Sequence, residues 1–172
     1  MASTTPQPIV IVTTGGTIDK AYFDALSTYQ VGETMAAHLL KAARVAYPWR
    51  IVELLRKDSL ELTDEDRAAL RQTIAVLDTR YVIVTHGTDT MTDSAKVLAS
   101  VPDKTIVLTG ALAPARFSES DATFNLGMAF AAVQVLPAGV YIAMNGQVFR
   151  GGEVRKDRER GLFVSQENGQ GD

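Results

Sequence analysis

Residues 81–92, YVIVTHGTDTMT, decide the fold. Tyr81, Val82, Ile83 and Val84 make a short apolar run rich in β-branched and aromatic side chains. That length and composition fit a strand buried on both faces of a parallel sheet. The character then changes within one residue. Thr85, His86, Gly87, Thr88, Asp89 and Thr90 gather hydroxyls, an imidazole and a carboxylate, and Gly87 lets the backbone turn sharply. Segment 93–98 reads as a helix, so the polar cluster lies between a strand end and a helix start. In an open α/β sheet, ligands bind there.

The same signature recurs on either side. Residues 8–14 are a β-branched first strand that runs into Gly15, Gly16, Thr17 and Ile18, a tight turn where backbone can approach a ligand. Segment 15–32 is expected to be a mobile lid, since 20–32 has weak periodicity and long loops in compact domains tend to bind or gate. Segment 33–45 has helical periodicity, with Met35, Leu39 and Ala42 or Ala43 toward the sheet and His38 on the surface. A second strand, 50–55, is followed by Asp58, Ser59 and Leu60. Thr63 and Asp66 then form a capping-box pattern that opens a helix to about residue 77, with Leu70, Ile74 and Leu77 on one face.

A fourth strand spans 105–109, and Asp121 is expected to cap a helix over 121–135. The fifth strand, 139–144, runs into Asn145-Gly146, the dipeptide that most favours a two-residue hairpin, so 147–150 should pair back on it. Past Gly151 the composition becomes charged, and 166–172 is expected to be a flexible tail. The reading is one α/β domain over 1–172. It is a three-layer sandwich around a flavodoxin-like, mainly parallel sheet of order 2-1-3-4-5, with a C-terminal β-hairpin.

Composition narrows the function classes. With 172 residues, 46% hydrophobic and 22% charged, the chain can bury a substantial core. A net charge of −3 leaves no electrostatic footprint for nucleic acid or anionic membrane. The absence of cysteine excludes disulfides, thiolate metal sites and a thiol nucleophile. No apolar run approaches a membrane span, and the N-terminus lacks the basic start of a secretory signal, so a cytoplasmic protein is expected.

In the 2-1-3-4-5 order the first and third strands flank the topological switch point, so their C-terminal loops face one crevice. The loops carry Thr17, Ser59, and Thr88 with Asp89. Taken singly, such residues usually close turns or cap helices. Together they suit acyl transfer to a hydroxyl followed by hydrolysis. Thr88, Asp89 and a lysine could relay protons, and amides at the Gly87-Thr88 turn could stabilise an oxyanion. His86 is assigned a structural hydrogen-bonding role.

The motifs Thr14-Gly15-Gly16-Thr17-Ile18 and Thr85-His86-Gly87-Thr88-Asp89-Thr90-Met91, followed by Asp58-Ser59, Thr109-Gly110-Ala111, Ser120-Asp121, Asn125-Leu126, Met144-Asn145, Arg150-Gly151 and Lys156, resemble the bacterial-type L-asparaginases over nearly the whole chain. The resemblance implies that Thr17 attacks a side-chain amide, and that Thr88, Asp89 and Lys156 form a second catalytic group. It implies a lid tyrosine as helper, for which Tyr29 fits the pattern and Tyr22 lies nearer Thr17. Ser59 and Asp89 would hold the α-carboxylate and α-amino groups, with Gly16, Asp58, Gly87 and Thr88 completing the substrate set. No cofactor or metal is implied. Many relatives are longer, with a second domain that joins an intimate dimer, so this chain resembles the short single-domain form. Leu60 stands where many long-chain relatives have a glutamine.

The expected function is hydrolysis of L-asparagine to aspartate and ammonia by a homo-oligomer, a dimer or tetramer. The alternatives are an amidotransferase-type subunit feeding ammonia to a partner, and a non-catalytic module binding a small anion or amino acid. Lys156 depends most on the resemblance, because a charged run such as 153–160 ordinarily forms a solvated face.

Overall fold

The computed structural model describes residues 5–23 and 28–166. In chain order it contains β1 (Ile9–Gly15), a 3-10 turn (Thr17–Asp19), β2 (Lys20–Phe23), β3 (Thr28–Val31), α1 (Ala36–Ala42) and β4 (Trp49–Lys57). A second 3-10 turn (Ser59–Glu61), α2 (Asp64–Ala75), β5 (Tyr81–Thr85), α3 (Met91–Leu98), β6 (Thr105–Thr109) and α4 (Ala122–Val135) follow. The chain continues through β7 (Gly139–Met144), β8 (Gln147–Arg150), β9 (Val154–Asp157) and β10 (Leu162–Ser165).

Six strands form the central sheet in the order β4-β1-β5-β6-β7-β8. All neighbours are parallel except β7 and β8, which are antiparallel. This is the expected 2-1-3-4-5 order with a hairpin added at its far edge. Asn145 and Gly146 form that turn with φ of 53° and 72°. Both lie in the left-handed region that a type I′ turn requires.

The middle strands are buried on both faces because alternate side chains enter two separate cores. Ile9, Ile11, Ile83 and Val107 pack with Leu39, Leu126, Phe130 and Val133 of α1 and α4. Val10, Val12, Val84 and Leu108 pack with Leu70 and Ile74 of α2 and Met91 and Leu98 of α3. These are the three layers. The Thr63–Asp66 capping box forms in both directions at the start of α2. Among the described residues, no helix is long and apolar enough to cross a membrane.

Several segments are shaped by longer-range contacts. Residues 20–23 and 28–31 pair as an antiparallel two-stranded hairpin, β2 against β3, and 24–27 lie outside the described residues. Helix α1 is shorter than its pattern and turns Ala36, Leu39 and Leu40 inward, leaving Ala42 and Ala43 exposed. Asp121 sits at the N-cap of α4 but makes no capping bond. Its carboxylate instead accepts the Leu112 and Ala113 amides, bracing the loop after β6. The charged segment after Gly151 forms the β9–β10 hairpin, which docks through Val154 and Phe163 on the α2/α3 side. Of the expected tail, Gln166 donates its amide to the Glu153 carbonyl at 2.8 Å, and 167–172 lie outside the described residues.

Candidate active site

The site forms where the turns after β1, β4 and β5 interlock. Gly15 and Gly16 have φ of 101° and 89°, which L side chains rarely adopt. A Cβ on Gly16 would lie 2.4 Å from the Gly87 amide nitrogen, and one on Gly87 would lie 2.6 Å from the Ser59 Cβ. Both glycines therefore serve close backbone approach. The Gly16 amide donates to the Lys57 carbonyl at 2.9 Å, and Thr90 Oγ1 donates to the Ser59 carbonyl at 2.8 Å. Thr17 and Thr88 follow directly on the two glycines that touch. The first and third sheet turns thus meet, as their topology requires.

Thr17 is half-buried at the start of its 3-10 turn, while Ser59 and Thr88 are buried. Lys156 reaches this point from β9. Its Nζ donates to Thr88 Oγ1 at 2.7 Å and to Asp89 Oδ1 at 2.8 Å. The Lys156 side chain is only 14% exposed, although the run around it is charged. Strand alternation explains this. Val154, Lys156 and the residue opposite Lys156, Phe163, share the inward face of the hairpin, whereas Arg155 points outward. Arg158 Nε approaches the same Asp89 oxygen at 3.8 Å.

The electrostatics separate structural groups from available ones. His86 is fully buried, and burial pushes its pKa down to about 4 despite the Gly87 carbonyl. Its Nδ1 lies 2.7 Å from the Gly87 carbonyl, so that nitrogen carries the proton. Nε2 then accepts from Ser94 Oγ at 2.7 Å. This neutral ring, hydrogen-bonded at both nitrogens, holds the Gly87 turn against α3. Asp58 caps the Ser59 turn by accepting the Leu60 amide and pairs with Lys20 at 2.8 Å. Burial raises its pKa, but the Lys20 ammonium and the Leu60 and Ser59 amides outweigh that and hold it below the usual carboxylate value.

Tyr22 and Tyr29 lie opposite each other on one face of the β2–β3 hairpin, with ring centroids 5.3 Å apart. Both are half-exposed. Tyr29 also meets Phe117 edge-on at 5.8 Å and lines an open cavity of about 540 Å³ with Lys20, Arg56, Asp58 and Leu60. Among the described residues, no three His, Asp or Glu side chains are grouped to hold a metal ion.

Residues 8–169 match the family model "Asparaginase, N-terminal". The chain belongs to the asparaginase family. The glutaminase-asparaginase of Acinetobacter glutaminasificans is 32% identical to it over 174 residues, 92% of this chain and 53% of that protein. The thermostable L-asparaginase of Thermococcus kodakarensis superposes with a TM-score of 0.80 at 26% identity, covering 92% of this chain and 51% of that one. A structure titled as a probable cytoplasmic L-asparaginase from Campylobacter jejuni gives 0.77 at 30% identity, covering 88% and 50%. The chain spans about half the length of the curated relatives it matches.

Within this asparaginase fold the expected residues fall into two groups. Gly16, Gly87 and Ser59 touch, Thr17 and Thr88 adjoin them, and Asp89 and Lys156 close the cluster. Tyr22 and Tyr29 stand on the separate hairpin. Sequence reasoning passed over Asp19, which is 2% exposed with its pKa raised to about 6 by burial. It also passed over Phe117. The burial of Asp19 has no local signal, but the alternation Val154-x-Lys156 was a readable clue to the inward lysine.

Proposed function

We propose that this chain is an L-asparaginase that hydrolyses L-asparagine to L-aspartate and ammonia, with Thr17 as nucleophile. The observation that carries the reading is the pair of hydrogen bonds from Lys156 to Thr88 and Asp89, formed where the Gly16 and Gly87 turns touch. Because Thr88 Oγ1 accepts from an ammonium, its own proton is free to point into the crevice. It is then a charge-assisted donor.

In the first half-reaction the Thr17 oxygen attacks the side-chain amide carbon, the C–N bond breaks, and ammonia leaves. The proton that Thr17 loses is balanced by the one the leaving nitrogen gains. The Thr17 proton passes to the hydroxyl of a hairpin tyrosine, Tyr29 or Tyr22, which releases its own proton to crevice water as it accepts. Thr88 gives its proton to the leaving nitrogen and is re-protonated by Lys156, which recovers a proton from water. Water then cleaves the Thr17 ester, giving aspartate and restoring the hydroxyl. Backbone amides at the Gly87-Thr88 turn stabilise the oxyanion. Ser59 and Asp89 orient the α-carboxylate and α-amino groups, with Gly16, Asp58 and Gly87 shaping the rest of the substrate site. No cofactor enters this scheme. The proposal takes the enzyme to be cytoplasmic and a homo-oligomer, a dimer or tetramer.

The test is ammonia release from L-asparagine by the purified chain, compared with Thr17→Ala and Thr88→Val. Both variants should keep the parent melting temperature and lose about 10² or more in kcat, the scale expected of proton-transfer and nucleophilic groups. Retention of activity by Thr17→Ala would exclude it as the nucleophile.

A further inference from the structure

The carboxylate of Asp19 is buried two residues beyond Thr17 and takes no part in the reaction just described. Its Oδ1 accepts the Met35 amide at 2.8 Å, across a separation of 16 residues that spans the whole β2–β3 hairpin. Its main-chain carbonyl accepts the Gly32 amide at 2.9 Å. The hairpin starts from these contacts, with Lys20 opposite Val31. A single residue therefore grips the returning foot of the hairpin through both its backbone and its side chain. The same 3-10 turn steadies the hairpin by a second route. The Ile18 carbonyl accepts the Ala115 amide at 3.1 Å, fixing the loop whose Phe117 ring meets Tyr29.

We infer that Asp19 is a positioning residue that fixes the β2–β3 hairpin and its tyrosines relative to the turn bearing Thr17. The inference rests on the asparaginase reading, since a hairpin tyrosine is the group that relieves Thr17 of its proton. A carboxylate suits the task because an ionised acceptor binds an amide more strongly than a neutral one. That binding offsets part of the cost of burying it, a cost visible in the rise of its pKa to about 6.

Three enzymes test this on L-asparagine: the parent, Asp19→Asn and Asp19→Ala. The alanine variant removes the acceptor together with the buried charge, and should lose about tenfold or more in kcat, the scale of a small misplacement of a reacting group. Asparagine keeps Oδ1 and should hold kcat within about fivefold of the parent by the same reasoning. Amide exchange at Gly32 and Met35 should accelerate in the alanine variant only.

The decisive arm is a double-mutant cycle in a Tyr22→Phe/Tyr29→Phe background. If Asp19 acts through the tyrosines, Asp19→Ala costs little more there; if its losses multiply with theirs, the inference is wrong. Parent-like turnover by Asp19→Ala would also overturn it while leaving the asparaginase reading intact. A parent chain that releases no ammonia would overturn both.

Discussion

The buried acid at the foot of the hairpin makes a quantitative prediction for stability. Burial dominates the rise of the Asp19 pKa from 3.8 to about 6, opposed by the Met35 amide; Glu53 adds a smaller rise, and Arg116 and Arg56 pull it down. At about 1.36 kcal/mol per unit, the shift corresponds to roughly 3 kcal/mol. The sign follows from proton binding. Between about pH 4 and pH 6 the folded chain holds this proton more tightly than the unfolded chain, so the contribution is fully present below 3.8 and is lost as pH rises through 6. Asparagine keeps the Oδ1 acceptor for Met35 and does not titrate. Asp19→Asn should therefore match the parent near about pH 4 and exceed it by roughly 3 kcal/mol near about pH 7.5. For a chain of this size that is about 6–12 °C in Tm. Urea unfolding of both proteins across this range, read at constant m, measures the difference directly, because every other titrating group cancels. A stability difference that does not grow with pH would refute the reasoning.

Lys156→Met should lose about 10²–10⁴ in kcat while remaining folded, because it removes the donor to both Thr88 and Asp89; ammonia release well below Tm checks this. Thr85→Val should raise stability by about 1 kcal/mol, since the buried Thr85 hydroxyl has no hydrogen-bond partner among the described residues; calorimetry would show a rise of about 2–4 °C. Phe163→Ala should cost about 3–5 kcal/mol, because the ring is 1% exposed in the α2/α3 core. The same change should lower kcat even at temperatures where the chain is folded, because Phe163 pairs with Lys156 across the β9–β10 hairpin. Equal kcat in the folded variant would separate that packing from the site.

What could be read in advance follows from how far each contact reaches along the chain. The strand at 81–85 is legible because a parallel strand covered on both faces must be apolar throughout. The turn at Asn145-Gly146 is legible because only a few residues accept two positive φ angles in succession. Given those strands, the handedness and order of a doubly wound sheet bring the three hydroxyl-bearing turns together. The β2–β3 hairpin has no comparable signature, because both of its faces are largely open and no apolar alternation is imposed.

The two most consequential polar placements show where local reading fails and why. Averaged over 153–160, the sequence is simply charged, which suggests solvent on all sides. Taken with a period of two, the segment puts Val154 and Lys156 on one face, and Val154 is 2% exposed. A lysine carried inward by an apolar neighbour needs an anion and an acceptor, and Asp89 and Thr88 are those partners. Asp19 offers no such clue, because the donor that allows its burial comes from Met35, beyond the hairpin. Both charges are buried by contacts that close long stretches of chain, and both connect the threonine turns to elements outside the central parallel strands. The sheet brings the Gly16 and Gly87 turns together, whereas Lys156 and the two tyrosines are carried on the two small hairpins. Changes at Asp19 and Phe163, the residues that seat those hairpins, should therefore register in kcat as well as in stability.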